Sequence, residues 1–226
     1  MTDDAFPPES PVKEPIFSAP PLALLLPALL ISLYALQAMA SPEAQDNIIA
    51  GFALSPLLLR QGNYDLLITH MFLHGSWMHV LANSAFCLAF ATPVIRAFGK
   101  GAGAAASYLS FFLICGVAAG LGYCLLAWQS PVQVVGASGA ISGLVGAAIR
   151  LRSDANDPDI KSLLHPRVVA MTLTWCGINA LTALLPNLFG EGARIAWQAH
   201  IVGYFVGLVL ISPWMRLFHR GYFTNN

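Results

Sequence analysis

Long apolar stretches separated by shorter polar segments dominate the sequence. A helix needs about 20 predominantly apolar residues to cross the hydrocarbon core of a bilayer. Six candidate spans are present, at roughly 20–40, 77–97, 104–127, 134–151, 168–186 and 195–217. The pattern therefore predicts an all-α, polytopic membrane protein with one six-transmembrane-helix domain over residues 20–217.

Two parts of this pattern depart from a simple bundle. The fourth span is short, so either its helix begins below the membrane surface or the stretch around Gln129–Gln133 dips into the protein. The first connection, residues 41–76, is long and contains the apolar piece Ile48–Leu59, which Pro56 interrupts. That piece is too short to cross a membrane, so we expect an interfacial helix within a structured loop.

Composition supports the membrane assignment and indicates which classes of partner to expect. Hydrophobic residues make up 57% of the 226 residues and charged residues only 10%, against about 25% charged residues in soluble domains. This apolar composition makes membrane lipid an expected partner, and the formal net charge of zero gives no indication of nucleic-acid binding. Residues 1–19 combine acidic residues with prolines and lack a basic segment, which predicts a disordered tail followed by a true span and not a cleaved signal.

The distribution of lysine and arginine predicts the orientation of the spans. Only Arg60 and Arg194 fall on one side of the six-span arrangement. The other side carries Lys13, Arg96, Lys100, Arg150, Arg152, Lys161, Arg167, Arg216 and Arg220. Basic residues concentrate on the cytoplasmic side of membrane proteins, so we expect the N-terminal tail at 1–19 and the C-terminal tail at 218–226 to be cytoplasmic.

Four polar residues lie near the start of the even-numbered spans. His79 is three residues into the second span, Ser138 five into the fourth and His200 six into the sixth. Asn83 lies one helical turn beyond His79 on the same face. With the N-terminus inside, all three spans enter the membrane from the outer side, so the four groups reach a similar depth. This coincidence predicts that they converge on one site.

Small residues on the fourth and sixth spans predict close packing of these helices. They flank Ser138 or follow His200 at helical spacing, and such stripes allow two helix backbones to approach each other. The residues that we expect to support this packing are Gly136, Gly139, Ser142, Gly203 and Gly207.

A serine beside a histidine predicts nucleophilic catalysis. We expect His200 to act as general base and take the proton of Ser138, which attacks a carbonyl. His79, Asn83 and the Ser138 backbone N–H are candidate donors to the oxyanion. The six spans contain no Asp or Glu, so a Ser–His dyad without a third member, and without a cofactor, is the expected arrangement.

Other interpretations of the same residues are open at this level. A serine in an apolar helix commonly bonds to its own backbone, and a run of Gly, Ala and Ser is itself a packing face. His70 and His74 have a spacing that suits a metal, but no acidic third ligand is close in sequence, so we predict no metal site. A small transporter or channel is a further alternative. Such proteins commonly contain internal repeats or membrane-embedded carboxylates, and the absence of both from the sequence argues against it.

Three motifs, in order along the chain, resemble those of the rhomboid family of intramembrane serine proteases. Gly136-Ala137-Ser138-Gly139 resembles the family's GxSG motif. The segment His79–Asn83 is similar to its second-span HxxxN motif, and His200–Gly207 to its sixth-span histidine with a glycine stripe. The run His70–His79 is similar to the sequence leading into the second span of bacterial members. The resemblance covers about residues 20–217.

The resemblance implies a rhomboid-like six-helix bundle with a Ser138–His200 dyad and an oxyanion site formed by His79, Asn83 and the Ser138 amide. Substrates would be transmembrane proteins with a single span, cut in or near the bilayer after a small residue. The setting would be a bacterial-type inner membrane. A non-proteolytic relative that binds transmembrane helices for quality control is the alternative, and the presence of both Ser138 and His200 argues against it.

The resemblance also implies roles for the connecting segments. Residues 41–76 would form a half-embedded loop, and Leu185–Ala196 would cap the site, with the fifth span as part of a substrate gate. The sequence departs from the family pattern at two places. Ser142 occupies the position of a tyrosine that often stacks under the histidine, and Tyr64-Asp65-Leu66 occupies the region of a common Trp-Arg pair.

Overall fold

The computed structural model describes residues 19–151, 160–185 and 195–219. The described residues contain no extended strand, and one isolated antiparallel bridge joins Leu54 and Val134. Their α-helices are α1 (Leu25–Ala38), α2 (Pro42–Phe52), α3 (Pro56–Arg60), α4 (Leu66–Thr69), α5 (Trp77–Phe98), α6 (Ala102–Leu126), α7 (Ser138–Arg150), α8 (Pro166–Leu184) and α9 (Trp197–Phe218). A 3-10 turn at Pro21–Leu24 leads into α1, and another at His70–Phe72 follows α4. The predicted all-α fold is confirmed.

Within the described residues, five helical segments are long and apolar enough to cross a bilayer: Pro21–Ala38, α5, α6, α8 and α9. The remaining predicted span, the fourth, corresponds to α7, which has only 13 residues and begins at Ser138. Residues 134–137, which the apolar pattern includes in that span, belong to the preceding loop. All of α7 except Ser138 and Ala148 is buried. A helix enclosed by protein does not have to match the thickness of the bilayer, so α7 can be short.

The loop before α7 is held by hydrogen bonds to the first connection. Leu54 and Val134 exchange backbone hydrogen bonds of 3.1 and 2.8 Å, and the Gly136 N–H donates to the His70 carbonyl at 2.8 Å. Leu54 is fully buried. Because irregular backbone at membrane depth needs protein partners, these bonds allow the chain to remain non-helical until Ser138.

The first connection is built from the short helices α2, α3 and α4. Ser41 and Ser55 cap α2 and α3 by accepting backbone N–H groups, and a proline occupies the first turn of each helix. Pro56 therefore begins α3, a position where its missing N–H costs nothing. The Gln37 side chain at the end of α1 donates to the His74 carbonyl at 2.9 Å, which ties the end of this connection to the first span.

The predicted boundaries of the membrane domain fall partly outside the described residues. Residues 1–18 of the predicted N-terminal tail and residues 186–194 of the predicted cap lie there. At the other end, α9 reaches Phe218, and Nε2 of His219 lies 2.6 Å from Oγ of Ser107. The packed domain thus continues two residues beyond the predicted limit of 217, and residues 220–226 of the predicted C-terminal tail lie outside the description.

Helices α7 and α9 touch through their backbones. A Cβ atom added to Gly203 would overlap the Gly139 carbonyl, and one added to Gly207 would overlap the Gly143 carbonyl. Both added atoms would meet backbone and not a flexible side chain, so neither could be accommodated by a rotamer change. The separation of the two helices is therefore set by the absence of side chains at these positions.

We expect Gly207→Ala to lower the free energy of unfolding in mixed detergent micelles by about 1–3 kcal/mol, because the new methyl group forces α7 and α9 apart. The matched control is Gly177→Ala on α8, where an added Cβ meets nothing within 4 Å. The control should not lose stability. An equal loss in the two variants would contradict the close contact of α7 with α9.

Candidate active site

Ser138 and His200 meet at the end of the α7–α9 contact. Ser138 is the first residue of α7, and His200 lies in the first turn of α9. Oγ of Ser138 lies 2.8 Å from Nε2 of His200, which is hydrogen-bond reach for a nucleophile and its base. Both residues are half-buried. The Gly139–Gly203 backbone contact lies immediately next to this pair and sets its spacing.

His79 and Asn83 approach the same site from α5. A Cβ atom added to Gly136 would lie 2.7 Å from Nε2 of His79 and 3.3 Å from Nδ2 of Asn83. These two nitrogens therefore converge on the backbone two residues before Ser138. Gly136 has a φ of +113°, which a residue with a side chain rarely adopts, so this close approach requires glycine for both conformation and space.

Two donors at the site lack ordinary partners. The Asn83 side chain is buried, and its Nδ2 has no hydrogen-bond partner among the described residues. Unpartnered buried donors are rare in proteins and call for an explanation. The Ser138 N–H belongs to the first turn of α7, where backbone donors have no acceptor within the helix. Together with His79, these groups could donate to an oxyanion formed beside Ser138.

The two remaining histidines of this region, His70 and His74, have structural contacts. Burial lowers the pKa of His70 to about 4, and its Nδ1–H donates to the Leu66 carbonyl at 2.7 Å. Burial, and then the neighbouring His79, lower the pKa of His74 to about 3. The neutral His74 ring packs edge-on to His79 with 5.0 Å between the ring centres, so it supports the position of that imidazole.

The small residues around the serine have different contacts. Ser142 is buried, and its hydroxyl donates to the Ser138 carbonyl at 2.7 Å, a bond within its own helix. A Cβ added to Gly139 would lie 2.7 Å from the Cβ of Ala119, so Gly139 also admits α6. Across the described residues, no group of three or more His, Cys, Asp or Glu side chains is arranged to hold a metal.

The structure adds Asn179, which the sequence interpretation missed. Oδ1 of Asn179, on α8, lies 3.0 Å from Nδ1 of His200. The His200 ring thus has a side-chain partner on each nitrogen, whereas the sequence predicts a dyad without a third member. A signal was available, because a strongly polar side chain within an apolar span is a functional candidate by default. The predicted dyad follows from the absence of Asp and Glu from the spans, and Asn179 is neither.

The chain matches the model of one protein family. A family model described as the Rhomboid domain matches residues 61–216, which is more than half of the sequence. The matched range includes His79, Asn83, Ser138, Asn179 and His200. Comparison with curated protein sequences gives no match. With its all-helical fold and several apolar helices of spanning length, the chain is an integral membrane protein and belongs to the rhomboid family.

Proposed function

We propose that this protein is an active intramembrane serine endopeptidase that cleaves single-span membrane proteins in or near the bilayer. The rhomboid family consists generally of intramembrane serine proteases and their homologues. The observation that carries the proposal is the 2.8 Å hydrogen bond between Ser138 Oγ and His200 Nε2. A packing serine needs no such partner, and a homologue that only binds helices needs neither residue.

The first half of the proposed reaction forms an acyl-enzyme. His200 Nε2 takes the Ser138 proton while Oγ attacks the scissile carbonyl carbon. The negative charge that develops on the carbonyl oxygen is stabilised by the Asn83 amide, a His79 ring N–H and the Ser138 backbone N–H. The C–N bond then breaks, and His200 gives its proton to the departing amine.

The second half restores the enzyme. A water molecule attacks the ester carbonyl, and His200 Nε2 takes the water proton. The same donors stabilise the second oxyanion, the bond between the carbonyl carbon and Ser138 Oγ breaks, and the proton returns to Oγ. The products are two shorter chains, one ending in a new carboxylate and one beginning with a new amine. This route needs no cofactor.

The proposed setting follows from the charge bias and the exposure of α8. Both termini would lie in the cytoplasm and the Ser138 end of α7 would face the outer side of a bacterial-type inner membrane, surrounded by lipid. Of the 19 residues of α8, only Val168 and Asn179 are buried. Helix α8 is the predicted fifth span, and the small number of its buried side chains suits the predicted entry of a substrate helix beside it.

Replacing the nucleophile tests the proposal. We expect Ser138→Ala to lower the cleavage rate of a fluorescent single-span substrate in proteoliposomes by more than about 10³-fold, because no other group forms the acyl-enzyme. Ser110→Ala, an exposed serine of α6, is the matched control and should cleave at the wild-type rate. Equal cleavage by wild type and Ser138→Ala would refute the protease assignment, and binding without cleavage by wild type would favour a helix-binding homologue.

Removing a proposed oxyanion donor should change the turnover number more than substrate binding. We expect Asn83→Ala to lower kcat by about 10²–10³-fold with little change in KM, since the donor acts on charge that develops in the transition state. Asn47→Ala removes an exposed amide from α2 and should leave both constants unchanged. A rise in KM alone for Asn83→Ala would contradict the oxyanion role.

A further inference from the structure

The imidazole of His200 is held from both sides. Its Nε2 lies 2.8 Å from Ser138 Oγ, and its Nδ1 lies 3.0 Å from Asn179 Oδ1. Asn179 is almost fully buried, with 3% of its surface exposed. Val168 is the only other buried residue of α8. Asn179 is therefore one of two α8 side chains that are buried in the protein interior.

A second hydrogen bond fixes the orientation of the Asn179 amide. Its Nδ2 donates to the Trp175 carbonyl, one turn earlier in α8, at 2.9 Å. The oxygen of the amide is therefore the atom that faces His200. Because an amide oxygen only accepts hydrogen bonds, Nδ1 of His200 must carry a proton in this contact. In the neutral ring, Nε2 is then the unprotonated nitrogen, and it faces the Ser138 hydroxyl.

We propose that Asn179 is a positioning residue that selects the tautomer of His200 in which Nε2 can accept the Ser138 proton. The proposal rests on the proposed function, because it concerns how the base of that reaction is prepared. When His200 becomes protonated during the reaction, Nδ1 keeps the same proton and the same acceptor. The imidazole ring therefore keeps its orientation in both protonation states.

A neutral amide suits this place better than a carboxylate. A charged Asp within a membrane span is costly to keep ionised, whereas an amide oxygen orients the ring without a net charge. The need for such a partner also follows from Ser142. The Ser142 side chain is small, and its hydroxyl donates a hydrogen bond to the Ser138 carbonyl. Another residue must therefore fix the orientation of the His200 ring, and Asn179 does so from α8.

The hydrogen bond from Asn179 to His200 also joins α8 to α9. The effect of losing this contact between helices has to be distinguished from an effect on the base. Helices α8 and α9 share a second side-chain hydrogen bond, between the Thr172 hydroxyl and the Tyr204 hydroxyl at 2.7 Å. It lies two turns away from Asn179 on α8 and does not involve the Ser138–His200 pair. Thr172→Val therefore removes one α8–α9 hydrogen bond, as Asn179→Leu does, without touching the base.

The experiment compares Asn179→Leu with Thr172→Val in the full chain. For Asn179→Leu we expect kcat to fall by about 10- to 100-fold, part of the 10²–10⁴-fold that a general base contributes, with KM within about twofold of wild type. Thr172→Val should retain kcat. Equal losses in both variants would show that α8–α9 contact matters and would overturn the positioning role.

A spectroscopic readout tests the tautomer directly. In nitrogen-15 spectra of histidine-labelled protein near pH 8, the His200 signals are identified by their loss in His200→Ala. We expect a protonated Nδ1 and an unprotonated Nε2 in wild type and Thr172→Val, and a mixture of tautomers in Asn179→Leu. An unchanged tautomer in Asn179→Leu would overturn the proposal. If this variant fails to fold, Asn179→Ala serves the same comparison.

The two proposals fail in different ways. A wild-type protein that cleaves no substrate contradicts the proposed function, and the nitrogen-15 spectra still decide whether Asn179 sets the tautomer. A wild-type protein that is active, with Asn179→Leu equally active, leaves the protease assignment intact and removes only the positioning role.

Discussion

The backbone contact between α7 and α9 fixes the geometry of the candidate active site. Gly203 packs on the Gly139 carbonyl and Gly207 on the Gly143 carbonyl, so the two helices lie closer together than side chains would allow. Only this approach brings a short serine side chain on one helix within hydrogen-bond reach of a histidine on the other. The packing of small residues and the hydrogen bond between Ser138 and His200 therefore depend on the same contact.

Burial of α7 explains why the helix can be short and why the serine lies at its first residue. Protein surrounds α7 almost completely, so its 13 residues need not span a bilayer. The hydrogen bond from Gly136 to the His70 carbonyl keeps the preceding chain non-helical, and the positive φ of Gly136 turns it toward α5. The unpartnered Asn83 amide and the His79 ring then lie close to Gly136, two residues before the N-terminal residue of α7, Ser138.

The sequence predicts the all-α membrane fold from its apolar spans, and it predicts four candidate site residues from the polar side chains at the starts of those spans. A polar side chain within an apolar span is conspicuous, and spans of known direction bring such residues to comparable depths. The start of α7 cannot be predicted in this way, because it depends on hydrogen bonds of the preceding loop to Leu54 and His70, which lie far away along the chain. Asn179 lies near the end of the fifth span, which runs in the opposite direction, and comparing only span starts leaves it out.

Covalent labelling tests whether Ser138 is a nucleophile activated by His200. The intact protein is treated with a fluorophosphonate, digested and mapped by mass spectrometry, with Ser110→Ala and His200→Ala treated in parallel. We expect one phosphonylated residue, Ser138, in wild type and Ser110→Ala, and loss of the adduct in His200→Ala. An unmodified Ser138, or equal modification with and without His200, would contradict this expectation.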